Sequence, residues 1–238
     1  KRTSSMTTLN LDHNAIVNST TLYQKNVHDV RTYPHKVIKR STNAKLGKKV
    51  SKGKLKDFPI YTLTLVERET CTNACEHWAD CFGNNMPFGH RFKTVGLMPK
   101  IKSELDVLDK KHPKGYLLRL HILGDFYSIP YVLFWEKQLL SRPALTIYGY
   151  SRHHYGSTNL DKWSRNIGEA LLKVRKSIGF ERFAVRFSTL PSDILSANTE
   201  HNPAPQSITC PVQLDKTDSC GTCSLCWTAN KPITFLDH

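Results

Sequence analysis

From residue 59 onward the spacing of apolar positions switches repeatedly between two periods. Residues 60–66, 116–123, 145–150 and 182–188 are short runs rich in β-branched and aromatic side chains, and each reads as a strand. Between them, residues 100–111, 129–140 and 160–177 carry apolar positions at the wider spacing of an amphipathic helix. Strands alternating with helices imply βα units joined into a parallel sheet, so the expected fold class is α/β. For the second helix, Ser128 is a nearer N-cap than Asp125.

Within each strand, apolar and polar residues alternate. Tyr61, Leu63 and Leu65 oppose Thr62 and Thr64, while Leu118, Leu120 and Ile122 oppose Arg119 and His121. Leu145 and Ile147 oppose Thr146, Tyr148 and Tyr150; Phe183, Val185 and Phe187 oppose Arg186 and Ser188. Strands covered on both faces read instead as continuous apolar runs. One face of this sheet is therefore expected to carry the helices and the other to line a wet or charged cavity, because burying Arg or His without partners is costly.

Ligands of parallel α/β folds gather at the carboxyl ends of the strands. There this chain has a cysteine-rich loop after the first strand, Gly124-Asp125-Phe126 after the second, Ser151-Arg152-His153-His154 after the third and Arg186-Phe187-Ser188 at the end of the last. The candidate ligand-binding residues are Gly124, Asp125, Tyr150, Arg152, Arg186 and Ser188. Arginine suits a small anionic or zwitterionic ligand because its planar fork pairs with carboxylates.

Composition narrows the class. The 238 residues are 39% hydrophobic and 23% charged, which excludes a wholly disordered or fibrous protein. No apolar run approaches the roughly 20 residues of a membrane span. The opening KRTSSMTTLNLD has no apolar core of a secretory signal, so a cytoplasmic location is expected. Charge is uneven: residues 1–56 hold thirteen Lys or Arg against Asp12 and Asp29, a balance of +11 out of +14 for the whole chain. The expected organisation is a basic extension over residues 1–56, with at most a short element near residues 22–30, followed by an α/β domain over residues 57–238. The run KVIKRSTNAKLGKKVSKGKLK is either a nucleic-acid-binding arm acting by counterion release or a solvated basic tail.

Seven cysteines fall into two groups, and their odd number argues against a disulfide framework. The second group reads CPVQLDKTDSCGTCSLCW, so Cys220, Cys223 and Cys226 form C-x2-C-x2-C with Cys210 as a fourth thiolate. Such close spacing converges on one soft-metal centre, a 4Fe-4S cluster or tetrahedral zinc, and a third cysteine in the same run leans toward iron. The first group, Cys71, Cys75 and Cys81, has the spacing C-x3-C-x5-C and no obvious local fourth ligand, the pattern of an open cluster site. His77 or Cys210 could close it.

A cysteine loop directly after the first strand of a βα series, with a Gly-acid turn after the second, resembles the radical S-adenosylmethionine superfamily. That resemblance implies a partial barrel, a 4Fe-4S cluster on Cys71, Cys75 and Cys81, and cofactor contacts at Gly124-Asp125. Two departures leave S-adenosylmethionine binding open: the last cysteine gap is five residues, and the turn reads Leu-Gly-Asp. Residues 58–227 more closely resemble the phage gene product 88 family. The shared features are Cys81-Phe82-Gly83, a strand ending in Gly-Asp-Phe, Tyr148 to Ser151, the Arg-Phe-Ser strand and the terminal cysteine run ending in Trp227. This resemblance implies a viral iron-sulfur protein acting in the host cytoplasm and leaves its reaction unassigned.

Two function classes follow. One is an iron-sulfur protein, with one cluster or two, doing redox or radical chemistry on a ligand beside the polar strand face. The alternative is a zinc-stabilised nucleic-acid-binding protein with structural cysteines. A Ser or Cys hydrolase is disfavoured, because neither residue sits in a nucleophile-elbow context.

Overall fold

The parallel pairing predicted by strand–helix alternation is present in the structure, a computed structural model that describes residues 21–73, 75–156, 161–188 and 190–236. In chain order the strands are β1 (Val27–His28), β2 (Lys39–Arg40), β3 (Ile60–Thr62), β4 (Arg91–Phe92), β5 (Tyr116–Arg119), β6 (Leu145–Ser151), β7 (Phe183–Phe187), β8 (Ala197–Thr199), β9 (Ile208–Thr209) and β10 (Ile233–Phe235). The helices are α1 (Leu97–Lys111), α2 (Ile129–Ser141), α3 (Lys162–Ile178), α4 (Cys220–Cys223) and α5 (Leu225–Thr228). The central sheet has the order β2-β3-β5-β6-β7; the last four strands are parallel and β2 is an antiparallel edge. Among the described residues no helix is long and apolar enough to cross a membrane.

Local chemistry sets the helix ends. Ser128 accepts the Tyr131 amide at 3.3 Å and starts α2, and Asp161 accepts the Ser164 amide at 2.7 Å to start α3. All three long helices cover one face. Leu97, Leu105, Trp135, Leu139, Ile167 and Leu171 pack there against Tyr61, Leu118, Ile147, Phe183 and Val185.

Two expectations are corrected by the packing. Residues 21–56 do not form a separate extension. β1 pairs with β4, β2 pairs with β3, and Val37, Ile38, Leu46 and Val50 are buried in the domain, with the lysines pointing outward. Apolar residues spaced among the lysines make this docking favourable, since they would otherwise stay in water. The remainder of the expected extension, residues 1–20, lies outside the described residues.

The second correction concerns His121. The strand ends at Arg119, and His121 adopts a left-handed φ of +54°, which reverses the alternation. His121 therefore packs on the helix side, its Nε2 3.1 Å from the Tyr131 hydroxyl and its ring edge-on to Phe126, while Ile122 turns to the opposite face. Burial pulls the His121 pKa from 6.5 down to about 3, with Arg119 and His153 adding to the effect. The folded value lies below the unfolded one, so His121 contributes stability above about 6.5 that is lost as pH falls toward about 3. A His121→Asn variant keeps a residue tolerant of the left-handed backbone. Its unfolding free energy, measured in urea across that range, is expected to depend less steeply on pH; an unchanged slope would assign the acid sensitivity to other groups.

Candidate metal centre

The first cysteine loop follows β3 without regular secondary structure, and arginines hold its path. Arg91 is fully buried; its Nε lies 2.8 Å from Glu67 Oε2, and its other nitrogens donate to the carbonyls of Gly83, Met86 and Gly89. Arg68 donates to the Trp78 carbonyl and to Asn84 Oδ1. Within this frame the thiols of Cys71, Cys75 and Cys81 lie close enough to interact electrostatically with one another. Burial raises all three thiol pKa values, and backbone groups of Arg68, His77 and Gly83 hydrogen-bond to the respective sulfurs. His77 turns toward Asp80, at 3.3 Å, and Cys210 lies with the other cysteine group.

That second group is built on two short helical turns. Ser219 caps α4, Ser224 breaks it with a φ of +67°, and α5 follows. Cys210, Cys220, Cys223 and Cys226 all line one narrow cavity. Residues 45–51 clamp this segment: the Lys45 carbonyl accepts from the Cys220 amide at 2.7 Å, and the Leu46 carbonyl accepts from Gly221 at 3.0 Å. Any side chain at Gly221 would meet the Lys49 carbonyl at 2.3 Å, so only glycine allows this approach. Burial, reinforced by Cys226 and Cys210, pushes the Cys220 thiol up to about 12. The Tyr150 hydroxyl donates to Cys226 Sγ at 2.9 Å.

The C-terminal segment covers the amino-terminal half of the sheet's second face. Val50, Ile60, Leu117, Tyr148, Ala184 and Trp227 form a smaller core there. The expected polar face is thus apolar at this end and opens into a cavity only toward the carboxyl ends. This cavity measures about 450 Å³, and one cysteine of each group, Cys75 and Cys220, belongs to its lining.

Three of the six expected ligand-binding residues, Tyr150, Arg152 and Ser188, line that cavity. Arg152 is tied to Glu76 at 3.0 Å and to His154. The other three are outside its lining and make structural contacts. Gly124 has a φ of +82°, and a Cβ there would meet Thr70 Oγ1 at 2.5 Å, so it lets the second turn press against the first cysteine loop. Asp125 is buried and accepts from the amides of Phe126 and Arg152, both at 2.7 Å, which ties two rim loops together. Arg186 donates all five of its N–H groups to the carbonyls of Leu195, Leu225, Cys226, Ala229 and Lys231. It holds the C-terminal segment on the sheet rather than facing a ligand.

Arg119 was not among the expected ligand residues, yet it lines the cavity, its guanidinium 4.4 Å from the Tyr150 ring and 5.5 Å from Tyr148. Its signal in the sequence was a lone charge within an apolar strand. Lys45 and Asn198 join it on the wall from segments far apart in the chain. Among the described residues no group of three or more His, Cys, Asp or Glu side chains is arranged to hold a metal ion. No family model matches this chain, and no curated protein or solved structure matches it.

Proposed function

We propose that this chain is an iron-sulfur protein with a radical S-adenosylmethionine-like partial barrel, in which two thiolate sites flank one ligand cavity. The observation that carries the reading is Arg186: 0% exposed, bonded only to carbonyls and placed directly behind Cys226. A buried cation needs an opposing charge. Asp193, an acid that acts on it electrostatically, is paired with Arg175 at 2.8 Å. Four thiolates around a metal centre carry net negative charge and would meet that need. The C-x2-C-x2-C spacing favours iron over zinc.

The donor chemistry, rather than a preformed ligand geometry, supports such groups: three thiols within mutual electrostatic reach and receiving backbone hydrogen bonds, and four thiols lining one cavity. Cys71, Cys75 and Cys81 would hold one 4Fe-4S cluster and leave one iron without a protein thiolate. Cys210, Cys220, Cys223 and Cys226 would hold a second. Bound clusters supply one-electron chemistry, with potentials tuned by hydrogen bonds to sulfur and by exposure. The chain's own residues do the remaining work. Arg119, Arg152 and Lys45 attract an anionic or zwitterionic ligand, Phe82 and Phe235 limit water on the cavity wall, and the Tyr150 hydroxyl holds its proton against Cys226 Sγ. The sequential parallel order of β3, β5, β6 and β7, with helices on one face, supports the partial-barrel reading. With Gly124 and Asp125 engaged in tying loops, S-adenosylmethionine would rely on other cavity residues. The resemblance to the phage family supports a viral origin and action in the host cytoplasm.

Anaerobic purification with metal analysis tests the proposal. Brown protein with about four or more irons per chain and little zinc is the expected result. Colourless protein with stoichiometric zinc would overturn it in favour of zinc-stabilised structure. Adding S-adenosylmethionine to the reduced protein then separates radical chemistry from electron transfer, by the appearance or absence of 5'-deoxyadenosine.

A further inference from the structure

A second cavity lies outside the cysteine sites, at the β2 edge of the central sheet. It measures about 340 Å³, and its lining includes Lys36, Lys39, Arg40, Lys111, Tyr61 and Glu104. Four long cationic side chains therefore converge from two elements distant in sequence, the 36–40 segment and the end of α1. None of the four is within ion-pair distance of a carboxylate among the described residues, although Lys36 acts on Glu104 across the groove. The single carboxylate in the lining, Glu104, is buried and engaged: its oxygens accept from the Val37 amide at 2.9 and 3.1 Å and from the Ile38 amide at 2.8 Å. The groove is thus preorganised with excess positive charge.

Aromatic rings stand beside these cations. The Arg40 guanidinium lies 5.6 Å from the centre of the buried Tyr61 ring, and Lys39 Nζ lies 5.5 Å from that of the half-buried Tyr33 and 3.1 Å from its hydroxyl. Lysines on an edge strand discourage edge-to-edge pairing, and a lysine at a helix end complements the helix dipole. The first explains Lys39 and Arg40 and the second Lys111, but neither accounts for the convergence of all four on one groove. A positive groove that tracks a phosphate backbone, with a partly exposed ring such as Tyr33 beside it for a base to stack on, is the usual arrangement for single-stranded nucleic acid.

We propose that this groove binds the phosphodiester backbone of a single-stranded nucleic acid. The site is independent of the metal reading and differs from a flexible basic arm, because Lys36, Lys39 and Arg40 are positioned by the β2–β3 pairing and by Glu104.

The test is fluorescence anisotropy of the full chain with labelled single-stranded DNA and RNA 15-mers of one sequence, and with the DNA duplex, at several salt concentrations. Unmodified protein is expected to bind both single strands more tightly than the duplex, with affinity falling steeply as salt rises. A triple variant, Lys36→Gln, Lys39→Gln and Arg40→Gln, is expected to lose at least about tenfold in affinity, and its log–log salt slope to fall by about 2, near 0.7 for each lost contact. Lys111→Gln, which leaves the edge strand intact, is expected to weaken binding in the same direction. The control, Lys52→Gln, Lys54→Gln and Lys56→Gln, removes equal charge from exposed positions elsewhere in the basic run and is expected to change binding little. Equal losses in the two triple variants would show diffuse attraction and overturn the proposal. So would duplex binding as tight as single-strand binding, or the absence of binding at low salt.

Discussion

Replacing Arg186 with methionine is expected to release the C-terminal segment from the sheet and to cost on the order of 5 kcal/mol of stability. The size follows from the accounting of donors. All five N–H groups of this fully buried side chain meet carbonyls of residues 195–231, and no other group stands ready to satisfy them. A hydrogen bond to a charged donor contributes roughly 1.5–3 kcal/mol, and a buried carbonyl left without one adds a penalty. Urea unfolding of the variant measures the loss. A thiol-reactive reagent with mapping by mass spectrometry reports where it falls: Cys210, Cys220, Cys223 and Cys226 should become reactive, while Cys71, Cys75 and Cys81 change little. Uniform exposure of all seven cysteines would mean that the segment does not open as a unit. Arg186→Lys retains the charge with fewer donors and should recover only part of the stability.

The complementary substitution, Arg91→Met, is expected to expose the first cysteine group instead. Arg91 and Glu67 are 0% and 1% exposed, and removing one member of such a pair typically costs about 3–5 kcal/mol because the other is left charged in the interior. Three carbonyls of the loop, on Gly83, Met86 and Gly89, also lose their donor. The same labelling experiment should now find Cys71, Cys75 and Cys81 reactive and the C-terminal four protected. A double variant, Arg91→Met with Glu67→Gln, removes the orphaned charge and should be more stable than Arg91→Met alone. If the double variant is no better, the loss belongs to the carbonyl contacts and the ion pair is not the main support of the loop.

These two arginines show why the cysteines are legible in the sequence while the contacts around them are not. Arg186 lies on the polar face of β7 as alternation requires, and that position made it a ligand candidate. What it meets there was hidden, because its partners are backbone carbonyls, which every sequence possesses and no pattern marks. Gly124 and Asp125 stand outside the cavity lining for a related reason. A Gly-acid turn at the end of a strand suits a ligand contact or a junction between loops equally well, and only the approach of Thr70 and the Arg152 amide distinguishes them. Arg119 was legible as a charge on the polar face, but its importance depends on Lys45 and Asn198 arriving beside it from distant segments.

By itself, the sequence determined the α/β class, the positions of the long helices, which strand face receives them and the division of seven cysteines into sets of three and four. These are local or periodic properties, set by spacing along a few turns of chain. Tertiary structure alone decided that residues 21–56 belong to the domain, that His121 reverses its strand's alternation, and that the second face is half apolar core and half cavity. It also brought Lys111 to the side of Lys36, Lys39 and Arg40. Each of these depends on the docking of segments remote in sequence, where apolar burial and carbonyl satisfaction over the whole molecule outweigh the preference of any one stretch.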